Sequence, residues 1–147
     1  MIIRKILIMG LSGSGKTTLA KKLKLKLLKQ YNKAILCFNA DKIRKEYNDW
    51  DFSMIGRNRQ AIRMKKFADS ADSDYVICDF ICPTDELREL FSADFTIWVD
   101  TISESQYPDT DMLFVPPKVY DIRVTDQDAE KWSDIIVNHF IQYETEI

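Results

Sequence analysis

One segment of the sequence combines glycines, a lysine and hydroxyl residues in a spacing that binds phosphate. Residues 10–17 read GLSGSGKT and satisfy the pattern G-x-x-x-x-G-K-[ST]. The glycines let backbone N–H groups converge on phosphate oxygens, and a following helix N-terminus adds a positive dipole end. The lysine supplies a mobile charge, and the threonine hydroxyl can ligate Mg²⁺. We therefore predict a site for ATP and Mg²⁺ formed by Gly10, Leu11, Ser12, Gly13, Ser14, Gly15, Lys16, Thr17 and Thr18.

Two aspartates follow apolar runs at places where ligands are usually held. Asp41 comes just after one such run, and Asp79 lies at the end of another. Ligands gather at the carboxyl edge of parallel sheets, so a role for Asp41 in binding a ligand is expected. An aspartate in the position of Asp79 is typical of a metal ligand, and the alternative is an acid hydrogen-bonded to a neighbouring helix.

The strands that must position these residues are predicted from short apolar runs. The runs cover residues 2–9, 34–38, 75–81, 95–100 and 120–124. The run at 34–38 has the composition of a buried parallel strand. The stretch 102–117 contains three prolines and is predicted to be a loop.

The helices are predicted from four-residue apolar spacing and from capping residues. Long helices are expected over 15–31, over about 54–70 and from about 125 to 143, with shorter helical segments at 41–47 and after residue 84. Ser53 offers an N-cap to the second long helix, and Thr125 with Asp128 has capping-box spacing at the third. Alternating strands and helices indicate an α/β fold of three layers, with a mostly parallel sheet of about five strands between helices. A phosphate loop is shared by kinases, switches and motors. The short chain favours a small-molecule kinase over a motor, and the guanine-reading motif N-K-x-D is absent, so we predict a single P-loop kinase domain over residues 1–147.

Composition excludes several other classes of protein. Hydrophobic residues make up 46% and charged residues 30% of the chain, as in a soluble globular protein. No apolar run approaches the roughly 18 to 20 residues that span a bilayer, so we expect no membrane partner. Three cysteines and one histidine argue against a disulfide framework and a histidine-rich zinc site, and favour a reducing, cytoplasmic setting.

Charge is distributed very unevenly along the chain. Residues 1–66 contain 17 basic and four acidic residues, whereas residues 67–147 contain four basic and 19 acidic residues. A basic first half suits a phosphate-rich ligand, so this weakly favours an anionic substrate. The alternative is that the lysines between residues 21 and 29 form the solvated face of one helix.

Several segments together resemble the adenylylsulfate kinase family, which phosphorylates the 3′-hydroxyl of adenosine 5′-phosphosulfate. GLSGSGKTT at 10–18 is very close to that family's phosphate loop, and FNADKIRKEYN at 38–48 is similar to its L-D-G-D-N-V-R-x-x-L-N segment. VICDFICP at 76–83 resembles V-I-C-A-F-I-S-P, FTIWVDT at 95–101 resembles F-x-E-V-F-V-D-T, and VPP at 115–117 resembles the end of Y-E-P-P. The resemblance covers nearly the whole chain and is most specific through residue 83.

The resemblance implies roles for residues beyond the phosphate loop. Asp41 would be the catalytic base that accepts the proton of the acceptor hydroxyl, with Lys16 on the transferred phosphoryl group. The acceptor would be bound by Arg44, Asn48, Phe52, Arg57, Gln60, Phe80 and Ile81, with the arginines on its anionic groups and Phe52 stacked on its base. A role in sulfate assimilation, a nucleotide-like partner and a homodimer are the corresponding expectations.

The sequence also departs from the family pattern. Asn39 stands where the family has the first Asp of D-G-D, and Asp79 stands where it has a small residue, so we expect Asp79 to take over part of the metal role. Gln60 replaces an asparagine and Cys82 replaces a serine. The family's long basic lid is reduced to a short acidic segment, and no Lys or Arg occurs between Arg88 and Lys118. Lys118, Arg123 or the basic helix around 57–66 would have to supply the missing cation.

Two other functions remain open at this stage. A nucleoside or polynucleotide kinase, acting on a 5′-hydroxyl or on a hydroxymethylated base in DNA, also fits Asp41 and Arg44 with a short lid. The acidic second half disfavours a broad nucleic-acid surface. A non-catalytic ATP-binding subunit is the third reading, against which a base at Asp41 argues.

Overall fold

Five of the apolar runs form the strands of a single sheet, with helices between them. The computed structural model describes residues 2–146, and the side chains of residues 2–140. In chain order the elements are β1 Lys5–Met9, α1 Lys16–Tyr31, β2 Ile35–Asn39, α2 Ala40–Tyr47, α3 Met54–Ser70, β3 Tyr75–Asp79, α4 Asp85–Phe91, β4 Phe95–Val99, α5 Pro108–Leu113, β5 Ile122–Val124 and α6 Ala129–Glu146.

The sheet is parallel throughout and has its switch point beside the phosphate loop. Its strand order is β2-β3-β1-β4-β5, with β1 in the centre and buried along its whole length. The chain builds β2 and β3 on one side of β1 and then crosses to β4 on the other side. In such sheets ligands bind at the carboxyl ends of the strands where the direction reverses.

Alternating side chains of the strands build a separate core on each face of the sheet. Ile6 and Ile8 of β1 pack with α1 and α6, whereas Leu7 and Met9 pack with α2, α3 and α4. This alternation arises because successive side chains of a strand point to opposite faces. The predicted three-layer α/β fold is therefore confirmed.

The second strand differs from the prediction of a buried strand. β2 lies at the edge of the sheet, and Leu36 is 41% exposed there. An apolar run of five residues satisfies either position, because edge or centre is decided by the order of the crossovers rather than by the run itself.

Two local predictions near the C-terminal half are wrong. The stretch 102–117 contains the helix α5, whose Pro108 occupies the first turn, where a missing N–H costs no hydrogen bond. Helix α6 begins at Ala129 rather than at 125, because Asp128 Oδ1 itself accepts a hydrogen bond from Lys131 N at 3.1 Å. The predicted Ser53 cap is present, since its Oγ accepts from Gly56 N at 3.2 Å.

The lysines of α1 do not all form a solvated face. Lys26 is buried and forms an ion pair with Asp134 of α6, and its Nζ lies 3.0 Å from Glu130 Oε1. Lys22 also pairs with Glu130, at 2.9 Å. Part of the uneven charge along the chain is thus compensated inside the molecule, where α1 packs on α6.

Candidate active site

The phosphate loop connects the central strand β1 to helix α1. Gly10 comes so close to β4 that a Cβ there would lie 2.4 Å from the carbonyl oxygen of Val99, so only glycine fits. Gly15 precedes α1, and no side chain caps the N–H groups of the first turn. Those N–H groups are left to a ligand, as expected of an anion site at a helix N-terminus.

Side chains from distant parts of the chain hold the outer side of this loop. Thr101 Oγ1 donates to the carbonyl oxygen of Ser14 at 2.6 Å. Gln127 Nε2 donates to the carbonyl oxygens of Gly13 and Ser14 at 3.3 and 3.2 Å. With these carbonyl groups bound from behind, the loop is held in one conformation before any ligand arrives.

Lys16 lies at the inner end of the loop and donates from Nζ to the carbonyl oxygen of Leu11 at 2.8 Å. Burial lowers its pKa to about 8, although the carboxylates of Asp79 and Asp41 oppose the shift. A desolvated ammonium group in the cavity is well placed to exchange its carbonyl contact for a phosphate oxygen.

Thr17, Asn39 and Asp79 form a polar cluster at the carboxyl ends of β2 and β3. Asn39 and Asp79 face each other in register, and Asn39 Nδ2 donates to Asp79 Oδ1 at 2.7 Å and to Thr17 Oγ1 at 3.3 Å. Asp79 is only 4% exposed, and this burial raises its pKa despite the bonds from Asn39 and Thr17.

This cluster fits a hard cation. The donors near the phosphate loop are a hydroxyl and a buried carboxylate, which are oxygen ligands of the kind that Mg²⁺ accepts together with waters and phosphates. No group of three or more His, Cys, Asp or Glu side chains arranged for a metal occurs among the described residues. Mg²⁺ needs no such group, because it usually takes one or two carboxylates plus substrate phosphates.

One large cavity of about 1050 Å³ extends from the phosphate loop over the edge of the sheet. It brings together most of the residues that the sequence singled out, and these are Ser12, Gly13, Gly15, Lys16, Thr17, Thr18, Asp41, Arg44, Phe52, Arg57, Gln60, Asp79, Phe80 and Ile81. Gly10, Leu11 and Ser14 shape the loop from behind and are not part of the cavity lining. Asn48 does not line the cavity either, because it is the exposed residue that ends α2 in a left-handed conformation.

Asp41 lies in the first turn of α2, and its side chain is exposed to the cavity. The helix is fixed at this end by Asn39, whose Oδ1 accepts a hydrogen bond from Lys42 N at 3.1 Å. Asn39 therefore has two contacts. Its side-chain NH₂ group orients Asp79, and its side-chain oxygen fixes the start of α2, which carries Asp41.

Two arginines surround Phe52 at the far end of the cavity. The guanidinium carbons of Arg44 and Arg57 lie 4.4 and 5.5 Å from the centre of its ring. Arg44 Nη1 donates to the carbonyl oxygens of Asp49 and Asp51 at 2.9 and 3.2 Å. Both guanidinium groups are buried, while Phe52 is 49% exposed and presents ring surface to the cavity.

The connector that carries Phe52 is held against the start of α3. A Cβ on Gly56 would lie 2.1 Å from the carbonyl oxygen of Asp51, so glycine permits this approach. Arg59 and Arg63 of α3 bind the Asp49 carboxylate, at 2.8 and 3.0 Å. These hydrogen bonds hold the pKa of Asp49 well below its usual range, with the bond from Arg59 as the largest cause.

Gln60, Phe80 and Ile81 form part of the cavity wall. Gln60 is buried and donates from Nε2 to the carbonyl oxygen of Ala40 at 3.1 Å, which ties α3 to the start of α2. Phe80 packs edge-on against Phe91 of α4. Ile81 is partly buried in the loop after β3.

The lid segment lines the cavity with residues that were not among the predicted site residues. Gln106, Tyr107, Pro108, Asp109 and Thr110 line it from the start of α5, and Trp50 lines it from the connector before α3. Neither Lys118 nor Arg123 reaches the cavity, and Arg123 instead binds Asp100 Oδ2 at 2.6 and 2.9 Å. Of the expected sources of a cation, only helix α3 supplies one, in Arg57. The sequence signal that could have indicated Trp50 and Tyr107 is an aromatic residue within a polar stretch, and both side chains are half-exposed in the structure.

A second, smaller cavity of about 160 Å³ lies on the other side of the phosphate loop. Thr18, Thr101, Gln127 and Trp132 contribute to its walls. Its position beside the loop would allow a nucleotide to extend beyond its phosphates toward α6.

A phosphate loop at the switch point of a parallel sheet, with a carboxylate and cations around an adjoining cavity, defines a P-loop phosphotransferase. The chain belongs to the adenylylsulphate kinase family, whose family model matches residues 4–105. None of the curated proteins compared with the chain is a significant match. The family membership makes the protein a kinase and sets aside the reading as a non-catalytic subunit.

Solved structures support this assignment. The chain is 26% identical to a cysteine-to-alanine mutant of the Mycobacterium tuberculosis APS kinase CysC, with a TM-score of 0.73 over 93% of this chain and 96% of that one. The same kinase in complex with AMPPNP and APS is 22% identical, with a TM-score of 0.74 over the same shares of the two chains. A shikimate kinase from Acinetobacter baumannii shares the fold at 16% identity, with a TM-score of 0.67 over 96% of this chain and 94% of that one.

Within the described residues, no helix has the length and apolar character needed to cross a membrane.

Proposed function

We propose that this kinase transfers the γ-phosphoryl group of ATP to the 3′-hydroxyl of adenosine 5′-phosphosulfate. The observation that carries the proposal is the single cavity that joins the phosphate loop, Asp41 and the arginines around Phe52. A nucleotide acceptor has a base that can stack on an aromatic ring and anionic groups that suit buried guanidinium groups. The adenylylsulphate kinase family supplies the substrate class, since one of its members has been solved with AMPPNP and APS.

ATP would bind with its phosphates on the N–H groups of residues 10–18 and the ammonium group of Lys16. Thr17 and Asp79 would hold Mg²⁺, which neutralises charge on the transferring phosphates when it is bound. Thr101 and Gln127 keep the loop in the binding conformation, so less ordering is needed when ATP arrives.

The acceptor would bind between Phe52 and the loop after β3, with its hydroxyl toward Asp41. The carboxylate of Asp41 orients the hydroxyl and accepts its proton as the new bond to phosphorus forms. Arg44 and Arg57 hold the anionic end of the acceptor, while Trp50 and Tyr107 keep water from the mouth of the cavity.

The test is phosphoryl transfer from ATP with adenosine 5′-phosphosulfate, using wild type, Asp41→Asn and the matched control Glu46→Gln. Glu46 is exposed on the same helix and does not line the cavity. We expect 3′-phosphorylated product from wild type and the control, and a loss in kcat of about 10²- to 10⁴-fold in Asp41→Asn. Nucleosides and 5′-hydroxyl or hydroxymethylated DNA are assayed in parallel. Transfer to one of these instead of adenosine 5′-phosphosulfate would contradict the proposed acceptor.

A place in sulfate assimilation follows from this acceptor and is part of the same proposal. The homodimer and the cytoplasmic setting expected from the sequence stay predictions.

A further inference from the structure

Arg57 differs from the other cations of the large cavity in having no counter-charge. The charge of Lys16 interacts with the carboxylates of Asp79 and Asp41, and Arg44 Nη1 is 4.0 Å from Asp49 Oδ1. Arg57 is only 9% exposed, yet among the described residues no carboxylate lies within ion-pair distance of it. A buried charge without a partner is costly, and an anionic ligand in the cavity would supply the missing negative charge.

The guanidinium group of Arg57 is held by neutral acceptors only. Its Nε donates to the carbonyl oxygen of Phe52 at 2.8 Å, and its Nη2 donates to Thr110 Oγ1 at 3.0 Å. Its Nη1 makes no hydrogen bond within the part of the chain that the structure describes. The group is therefore fixed in direction while its charge stays available to the cavity.

Thr110 reaches Arg57 from the lid, where it is flanked by two acids. It lies in α5 between Asp109 and Asp111 and is only 7% exposed. Asp111 is bound within the lid, because its carboxylate accepts from Ser105 N and Oγ at 2.7 and 2.6 Å. The helix thus directs a hydroxyl, and not the carboxylate of Asp111, at the arginine.

We propose that Thr110 is a positioning residue that orients the Arg57 guanidinium toward an anionic group of the acceptor. In this way a lid without lysine or arginine would still set the direction of a positive charge in the acceptor site, because it binds Arg57 of α3. This inference rests on the proposed function, because it assumes an acceptor with an anionic group in this cavity.

The experiment compares Thr110→Val, Thr110→Ser and Thr110→Asp with wild type. Thr110→Val keeps the shape but removes the acceptor of the Arg57 hydrogen bond, and we expect the KM for adenosine 5′-phosphosulfate to rise about 10-fold. Thr110→Asp pairs the arginine internally, and we expect a rise of about 100-fold. Thr110→Ser restores the hydroxyl and should stay close to wild type. The KM for ATP is expected to remain unchanged in all three, which a general loss of structure would not produce.

Met112→Ala is the matched control, since Met112 lies on the same helix and is 87% exposed. Equal KM values for the acceptor in wild type, Thr110→Val and Thr110→Asp would overturn the positioning role. Equilibrium binding of inorganic sulfate, measured by calorimetry with saturating ADP on the phosphate loop, separates this result from a failure of the proposed function. If wild type transfers nothing to adenosine 5′-phosphosulfate but binds sulfate more tightly than Thr110→Asp, only the proposed acceptor is contradicted. If wild type and Thr110→Asp bind sulfate equally, the positioning role is overturned.

Discussion

At the residue scale, Asn39 at the end of β2 holds the buried carboxylate of Asp79 at the end of β3. The two side chains are 2.7 Å apart and in register on neighbouring strands, and Thr17 contacts the same amide. Asn39 also caps α2, so its amide group cannot turn without releasing that helix. Because Asn39 is itself held by α2, its hydrogen bond fixes the position of the Asp79 carboxylate.

We predict that Asp79→Asn weakens the Mg²⁺ dependence of nucleotide binding and turnover. Losing the one buried carboxylate beside Thr17 should lower the apparent Mg²⁺ affinity by about 10- to 100-fold, because an amide is a much poorer ligand for a hard cation. The measurement is the affinity of a fluorescent ATP analogue titrated with Mg²⁺ and with EDTA.

The double variant Asn39→Asp with Asp79→Asn moves the carboxylate to the neighbouring strand and serves as the rescue. We expect it to recover part of the Mg²⁺ effect, whereas Asp72→Asn, an exposed change away from the cavity, should behave as wild type. An unchanged Mg²⁺ titration in Asp79→Asn would remove Asp79 from the metal site.

At the scale of elements, the phosphate loop depends on a connection that starts more than 100 residues away. Gln127, in the turn before α6, binds two carbonyl groups of the loop, and its amide lies 3.5 Å from Thr101 Oγ1. Those carbonyl groups must point away from the phosphates if the N–H groups are to point toward them. The turn between β5 and α6 is thus part of the nucleotide site.

We predict that Gln127→Glu raises the KM for ATP about 10-fold with little change in the KM for the acceptor. The substitution keeps the shape of the side chain but places a negative oxygen against two carbonyl groups, so the loop loses its support. Gln30→Ala, an exposed change on α1, is the control. The measurement is the steady-state KM for ATP and for the acceptor in wild type and variant. An equal KM for ATP in Gln127→Glu and wild type would contradict the supporting role of Gln127 in the nucleotide site.

The same connection shows what the sequence could and could not predict. The turn from β1 through the phosphate loop into α1 and the Ser53 cap depend on residues close together in the chain, so local patterns were sufficient to predict them. Gln127, Thr110 and Trp50 acquire their places only when β5, the lid and the connector come together around the cavity. The edge position of β2 was missed for the same reason, since it follows from the strand order and not from the apolar run.

At the scale of the whole molecule, the uneven charge of the chain is partly a property of its packing. Basic α1 and acidic α6 lie side by side, and Lys22 and Lys26 meet Glu130 and Asp134 between them. The remaining question is whether these pairs or the apolar core below them hold α6 in place. Ile136 of α6 is fully buried in the core that also contains Leu23 and Leu27 of α1.

We predict that the core is the stronger contribution. Ile136→Ala should lower the free energy of unfolding by about 2–5 kcal/mol, since it leaves a cavity in a packed interior. Lys26→Met keeps most of the buried stem, and the carboxylates it leaves behind are 63% and 57% exposed and stay hydrated. Its cost should therefore be about 1 kcal/mol or less.

Urea unfolding at low salt and at 1 M NaCl separates the two contributions. Salt at that concentration screens the exposed carboxylates of these pairs, so the difference between wild type and Lys26→Met should become smaller, whereas the cost of Ile136→Ala should persist. A cost of Lys26→Met comparable with that of Ile136→Ala would mean that the ion pairs dominate. Glu130 and Asp134 would then make a main contribution to holding α6 on α1, because among the described residues these are the carboxylates that pair with Lys22 and Lys26.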